Sequence, residues 1–298
     1  MTEEMEDAPA KTPSLPVAAI KALRPKQWAK NVLLFAALVF SFGFLDVGQW
    51  IKALWGFGCF CLVSSTGYLF NDIRDQEADA KHPRKRHRPI ASGALPVSAA
   101  WAEMATIFVV GCVAAWLLRP EFLAITLLYF VSTMSYTLYF KSVVIMDIMM
   151  IAAGFLWRAA AGAIAIDVAI SPWLLLCTGF FALFLGFNKR RGELSLIGKD
   201  QGTRKTLQEY TPALIEEFQA ITTSGTVISY ALYTVLASPT PWLLLTLPHV
   251  VYGIFRYIYL VQSGEGDSPT EILYRDRGIL VVCVTYPLLA VGILLLAP

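Results

Sequence analysis

Residues 50–79 read WIKALWGFGCFCLVSSTGYLFNDIRDQEAD. From Trp50 to Phe70 only Lys52 is charged, and a run of about 20 apolar residues is what a helix needs to cross the hydrocarbon core of a bilayer. The run passes with no Pro into Asn71, Asp72, Asp75 and Asp79, so those polar groups are expected at the membrane surface. Outward from this stretch the same pattern recurs. Nine apolar blocks are expected at 28–45, 50–71, 97–118, 121–140, 143–166, 172–188, 213–237, 241–262 and 278–297. The 298 residues are 56% hydrophobic and only 15% charged, against about 25% charged in soluble domains. The chain reads as an all-α, polytopic membrane protein with nine transmembrane helices.

Basic residues orient these spans, because Lys and Arg are retained in cytoplasmic loops. One side carries Lys11, Lys21, Arg24, Lys26 and Lys30, then Arg74, Lys81, Arg84, Lys85, Arg86 and Arg88. The same side carries Lys141, then Lys189, Arg190, Arg191, Lys199, Arg204 and Lys205, then Arg275 and Arg277. The opposite side has Lys52 and Arg119, and the connections at 167–171 and 238–240 have no basic residue. Nine spans with the N-terminus in the cytoplasm produce this asymmetry, which predicts a multi-pass protein of the cell inner (plasma) membrane. Residues 1–22 begin with an acidic, Pro-bearing stretch without a signal-peptide core, and are expected to be a disordered cytoplasmic tail. Residues 23–298 are expected to be one nine-helix domain. The net charge of +2 gives no support to nucleic-acid binding. Cys59, Cys61, Cys112, Cys177 and Cys283 fall inside apolar blocks without metal-ligand spacing, and read as small hydrophobes.

The carboxylates carry the chemistry. Asp72, Asp75 and Asp79 are spaced by three and four residues, which sets them on one helical face. Asn71 is offset by one residue and adds a side-chain carbonyl. Aligned carboxylates repel unless a cation sits among them, and magnesium takes oxygen ligands together with substrate phosphates. A solvated acidic helix end is the competing reading. Directly downstream, residues 81–88 (KHPRKRHR) hold five Lys or Arg. Membrane topology alone explains part of that charge, but guanidinium groups beside carboxylates also suit a polyphosphate. A short echo follows span six, where Phe187-Asn188-Lys189 stands in place of Phe70-Asn71-Asp72. An offset of four helices suggests a duplicated four-helix unit with a ninth helix added.

With these residues in place, the NDxxDxxxD pattern closing the second of nine spans resembles the UbiA superfamily of intramembrane prenyltransferases. The resemblance covers roughly 22–298. It extends to RPKQWAKN at 24–31, HPRKRHRPIASG at 82–93, NKRRGEL at 188–194, RKTLQEYT at 204–211 and LYRDR at 273–277, which together are similar to a phosphoribosyl-transferring branch. It implies a helical bundle with a cytoplasmic active-site cavity and magnesium as cofactor. Asp72, Asp75 and Asp79 are then the catalytic carboxylates, and with Asn71 the metal ligands. Substrate contacts are expected from Asn71, Lys26, Lys30, Asn31, Tyr68, Lys81, Arg84, Arg88, Tyr136, Lys141, Arg158, Lys189, Arg190 and Glu193. For the tyrosine that accompanies Lys141, Tyr139 is an equal candidate with Tyr136.

One departure bears on substrate. Ordinary prenyltransferases of the superfamily carry a second Asp-rich motif after span six, whereas residues 189–193 here are KRRGE. Replacing carboxylates by Lys and Arg replaces metal-mediated anion binding with direct contact. The branch implies phosphoribosyl pyrophosphate (PRPP) as donor and a polyprenyl phosphate, such as decaprenyl phosphate, as acceptor. Cell-envelope arabinan precursors are then the expected product. A homo-oligomer is compatible with this reading. A prenyl diphosphate donor with an aromatic acceptor is the alternative, and a transporter is a second one. Within span five, Asp147 and Arg158 are eleven residues apart, nearly one helical face. Arg158 is open to two readings, a substrate-phosphate contact or a structural pair with Asp147.

Overall fold

The computed structural model describes residues 14–82, 85–195, 205–264, 272 and 275–296, and among them there are helices and no strands. Helix α1 (Leu15–Ala22) leads into a 3-10 stretch at Pro25–Leu34, a short α2 (Phe35–Phe40) and a 3-10 turn at Gly43–Leu45. There follow α3 (Val47–Arg74), α4 (Gln76–Lys81), α5 (Val97–Leu118), α6 (Pro120–Leu138), α7 (Met146–Ala165), α8 (Pro172–Ser195) and α9 (Pro212–Leu236). A 3-10 turn at Pro241–Thr246 opens α10 (Leu247–Gln262), and α11 spans Arg277–Leu296.

Seven described segments are long and apolar enough to cross a membrane: α3, α5, α6, α7, α8, the 241–262 segment and α11. Two further segments complete the nine apolar blocks. Residues 25–45 are apolar but broken, and α9 has 25 residues with Glu216, Glu217 and several Thr and Ser along it. The exterior is apolar, with Val109, Val113, Leu117, Ile228, Val284 and Leu288 exposed. The interior is polar, with Ser64, Ser65, Thr126, Asn188, Gln219 and Thr226 buried. This inversion is stable only when hydrocarbon surrounds the bundle and polar side chains satisfy one another inside it. The protein is a multi-pass membrane protein.

Three elements depart from the sequence expectation. Residues 15–22, placed in a disordered tail, form α1, because Ala18 and Ala22 pack with Leu69, Ile90, Leu95 and Ala100. Span one is not a continuous α-helix. Its 3-10 portion lies so close to α7 that a Cβ on Gly162 would stand 2.1 Å from the Leu34 carbonyl oxygen, an approach only glycine permits. Finally, α3 and α8 continue past the apolar blocks, to Arg74 and Ser195, so both charged motifs begin on helix ends. The main core joins α2, α3, α6 and α7 through Leu38, Phe60, Phe122 and Tyr129. A second core joins α8, α10 and α11 through Phe184, Tyr257 and Ile279.

Candidate active site

The end of α3 sets the site. The helix breaks at Asp75, whose backbone leaves the helical region, and resumes as α4. Hydrogen bonds from Asp75 N to Asn71 O (2.9 Å) and from Asp79 N to Asp75 O (2.8 Å) carry the helical path across the break. Asp72 and Asp79 are each 3% exposed. One guanidinium, Arg88, joins them, donating to Asp72 Oδ1 at 3.1 Å and also to Asp79 Oδ2. Arg24 donates to the same Asp72 oxygen, and Lys85 lies 3.8 Å from Asp79. Asp75 points elsewhere and takes Lys141 Nζ at 3.2 Å. Thus the three carboxylates share a helical run, but their partners come from three separate segments.

Asn71, Asp72, Asp75 and Asp79 offer oxygen donors alone, the chemistry a magnesium ion takes. Among the described residues no three His, Cys, Asp or Glu side chains stand close enough to share a metal. Arg88 lies between two of the carboxylates instead, in the place where a divalent ion would compensate the same charge. The donor chemistry fits, and the arrangement seen is the cation-paired one.

A second polar group lies deeper in the bundle. Arg158, 5% exposed, donates through Nε to Asn31 Oδ1, through Nη1 to Gly154 O and through Nη2 to Tyr129 OH, each at 2.8 Å. Asn31 is tied to Ser64 Oγ at 3.3 Å, and Trp28 Nε1 to Ser65 Oγ at 3.1 Å, which pins the 3-10 stretch to α3. Among the described residues no carboxylate pairs with Arg158. Lys30 and Tyr68 stand within electrostatic reach of both Arg158 and Arg24, and Arg24 stacks over the Tyr68 ring at 5.3 Å. Contacts run from Asp79 through Arg88, Asp72 and Arg24 to Tyr68, and Arg158 lies within electrostatic reach of that end.

The pairing of Asp147 with Arg158 does not occur. Asp147, fully buried, bonds Arg190 of α8, with Arg190 Nε at 2.9 Å and Nη2 at 2.7 Å from its Oδ2. Helical periodicity fixes the face a residue occupies, and the facing helix then decides its partner. Arg190 also bonds Glu193 Oε2 at 2.6 Å, so it sits in a buried network 2% exposed. Tyr210 donates to Asp147 Oδ1 at 2.8 Å. Burial, then the Asp147 carboxylate beside it, pushes the Tyr210 phenol well above its ordinary value, so it remains a donor.

Of the remaining expected site residues, Lys26 and Lys81 are exposed, and Lys189 reaches Glu193 at 3.9 Å. Tyr136 is half-buried within electrostatic reach of Arg190, while Tyr139 is 67% exposed, which separates those two candidates. Arg84 lies outside the described residues. Sequence reasoning missed Arg24, Tyr129 and Tyr210 as site members. Arg24 opens the basic RPKQWAKN stretch and Tyr210 lies in RKTLQEYT, so both were signalled by motif. Tyr129, a lone tyrosine in an apolar span, carried no such signal.

This arrangement of carboxylates and cations at helix ends of an all-helical membrane bundle can be set beside known proteins. A model of the UbiA prenyltransferase family matches residues 32–275. The chain belongs to the UbiA prenyltransferase family. This UbiA family transferase is 32% identical over 295 residues to the decaprenyl-phosphate phosphoribosyltransferase of Mycolicibacterium smegmatis, covering 93% of this chain and 92% of that one. It is 33% identical over 298 residues to the Corynebacterium glutamicum protein of the same name, covering 96% and 90%. A solved UbiA homologue from Archaeoglobus fulgidus, bound to GPP and Mg2+, superposes with a TM-score of 0.72 at 19% identity, covering 92% of this chain and 99% of that one. That likeness establishes the UbiA fold.

Proposed function

We propose that this UbiA family transferase moves 5-phosphoribose from PRPP to a polyprenyl phosphate, decaprenyl phosphate being the natural candidate, and releases pyrophosphate. The observation that carries the reading is the contrast between its two helix ends. The carboxylates Asp72, Asp75 and Asp79 run from the end of α3 into α4, whereas the last two turns of α8 carry Lys189, Arg190 and Arg191 with Glu193 as their one carboxylate, where a conventional prenyl diphosphate enzyme of this superfamily would have a second carboxylate cluster. The names of the two bacterial relatives supply the substrate class. In this reading the chain is one catalytic domain over 23–298, with nine spans and the site on the cytoplasmic face of the plasma membrane. The product enters cell-envelope arabinan synthesis.

The acceptor phosphate is an anion at neutral pH, so no Ser, Cys or His nucleophile is needed. One of its oxygens forms a bond to C1 of the ribose as the C1–O bond to pyrophosphate breaks, and the electron pair leaves with pyrophosphate. Oxocarbenium character at the ribose is expected, as in glycosyl transfer generally. Asn71, Asp72, Asp75 and Asp79 would hold magnesium, which supplies charge neutralisation for a departing pyrophosphate. Arg24 and Arg88 are the cations beside the carboxylates that would contact phosphate oxygens directly, with the exposed Lys26 and Lys81 as further contacts; Arg84 is proposed as another from its place in the basic run 81–88 alone. Lys30, Asn31, Tyr68 and Arg158 line the inner end, where a phosphate would compensate the Arg158 charge. Lys141 and Tyr136 close the side towards α8, where Lys189 adds an ammonium group and Glu193 orients Arg190.

The test is purified protein with labelled PRPP and polyprenyl phosphate, with magnesium or with chelator. Labelled lipid is expected only with the metal, and Asp72→Ala and Asp75→Ala should reduce it by about two orders of magnitude or more, the scale on which removing electrostatic stabilisation acts. Absence of product, equal product in the variants, or turnover of a prenyl diphosphate with an aromatic acceptor instead would overturn the reading.

A further inference from the structure

The connection between α6 and α7 contains a strained turn whose central side chain is partly exposed. Ile145 has φ 70° and ψ −48°, and Met146 N bonds Val144 O at 2.8 Å. This is a γ-turn of the strained, positive-φ form, built on a β-branched residue, the type least suited to it. The Ile145 side chain is 41% exposed, so packing alone does not enclose it. Tyr210, from the loop after α8, bonds both sides of the turn. Its hydroxyl accepts from Ile145 N at 2.7 Å and donates to Asp147 Oδ1 at 2.8 Å. Its ring is buried with Ile148, Phe187 and Ile215. Four residues before the turn, on the short 3-10 segment Phe140–Ser142, Lys141 makes its contact with Asp75.

We infer that Tyr210 is a positioning residue: its hydroxyl fixes the Val144–Met146 turn in the one shape that delivers Lys141 to Asp75. The chain leaves α6, must place an ammonium group on the carboxylate motif, and must then enter α7 with Asp147 aimed at Arg190. The turn makes both demands compatible within seven residues of chain. The Tyr210 hydroxyl touches both sides of it, the Ile145 amide before α7 and the Asp147 carboxylate within it. The loop after α8 thereby sets the geometry of a motif that ends α3, although Tyr210 touches no carboxylate of that motif. The inference rests on the proposed reaction only in that PRPP is taken as the ligand whose binding Lys141 serves.

The test has a structural and a kinetic arm, both on the full-length protein. In the first, the Ile145 amide of the wild type should exchange slowly with deuterium, and in Tyr210→Phe it should exchange as an open loop does. In the second, Tyr210→Phe should raise KM for PRPP about five- to tenfold, the loss expected of one or two hydrogen bonds. Because the effect passes through Lys141, the double variant Tyr210→Phe/Lys141→Ala should bind PRPP no worse than Lys141→Ala alone. Adding Ile145→Gly to Tyr210→Phe should restore KM, since glycine adopts positive φ without steric cost. A purely structural tyrosine would give neither the non-additivity nor the rescue. Fast exchange of Ile145 in the wild type, full additivity with Lys141→Ala, or failure of the glycine rescue would each overturn the inference. If the wild type forms no phosphoribosylated lipid, the proposed reaction fails while the exchange arm still decides whether the clamp exists.

Discussion

Arg158 and Arg190 are both buried cations, and their surroundings assign them opposite roles. Arg190 is neutralised by Asp147 and Glu193, so Arg190→Met strands the fully buried Asp147 carboxylate. Breaking such a pair typically costs about 3–5 kcal/mol, and thermal unfolding in detergent should show a large fall in Tm. Arg158 has only neutral partners, Asn31, Gly154 and Tyr129. Arg158→Met removes an uncompensated charge from the bundle but leaves those partners short of one hydrogen bond each; the two effects oppose, so Tm should fall less than in Arg190→Met. Activity should nevertheless drop by about two orders of magnitude, because a positioned charge for the transferring phosphates is gone. A large Tm loss in Arg158→Met would show that the arginine is a structural member after all. At this scale the sequence was legible where spacing is local. The carboxylate run at 71–79 and the basic run after it could be read directly. Partners across helices could not: Arg158, eleven residues from Asp147 on nearly the same face, was the candidate that spacing offered, whereas the partner is Arg190, 43 residues away on α8, which only packing brings near.

The helices themselves were legible wherever apolarity alone sets them, as at 97–118 and 241–262. They were less so where charged residues remain helical. The α8 helix runs on to Ser195 because Arg190 and Glu193 satisfy each other, and a hydropathy reading stops at Asn188. The 3-10 form of residues 25–34 was invisible, since the close approach of Leu34 to Gly162 on α7 is written in neither composition nor period. That contact is itself testable. Gly162→Ala places a Cβ against the Leu34 carbonyl, and overpacking of this kind costs about 1–3 kcal/mol. Because the displaced stretch carries Lys30 and Asn31, activity should fall along with Tm. An alanine variant with both unchanged would mean that the segment can stand off from α7. A second element-level device is the clip at the start of α11. Asp276 accepts from Arg256 Nη2 at 2.7 Å and from Ile279 N at 2.9 Å. Hydrogen bonding to Arg256 is the main cause that holds its carboxyl below the ordinary value of 3.8. The folded-state value being the lower one, the clip stabilises the protein above pH 3.8 and loses that contribution as pH falls through the folded value. Asp276→Asn should therefore lower Tm slightly at pH 7, and the gap to wild type should close as pH falls through the folded-state value.

For the molecule as a whole, the distribution of charge matters more than its sum. A net charge of +2 conceals carboxylates and cations gathered at one set of helix ends, while the opposite connections at 167–171 and 238–240 carry no basic residue. Whether that set faces the cytoplasm depends on how many segments cross. Seven segments meet the length and apolarity needed, and the broken 25–45 segment and α9 make nine. The two threadings differ, among other places, at the connection 238–240. With nine crossings, residues 238–240 lie on the side opposite the basic loop that contains His87, because α9 crosses. With seven, α9 does not cross and both lie on one side. Replacing the five native cysteines and introducing Ser238→Cys or His87→Cys singly gives reporters for a membrane-impermeant maleimide. Nine crossings predict that intact cells label Ser238→Cys, and that His87→Cys labels only after permeabilisation. Labelling of both only after permeabilisation would remove α9 from the spans. It would also separate the Gln219–Asn188 hydrogen bond (2.8 Å) from the membrane interior, where such polar side chains are otherwise satisfied by one another.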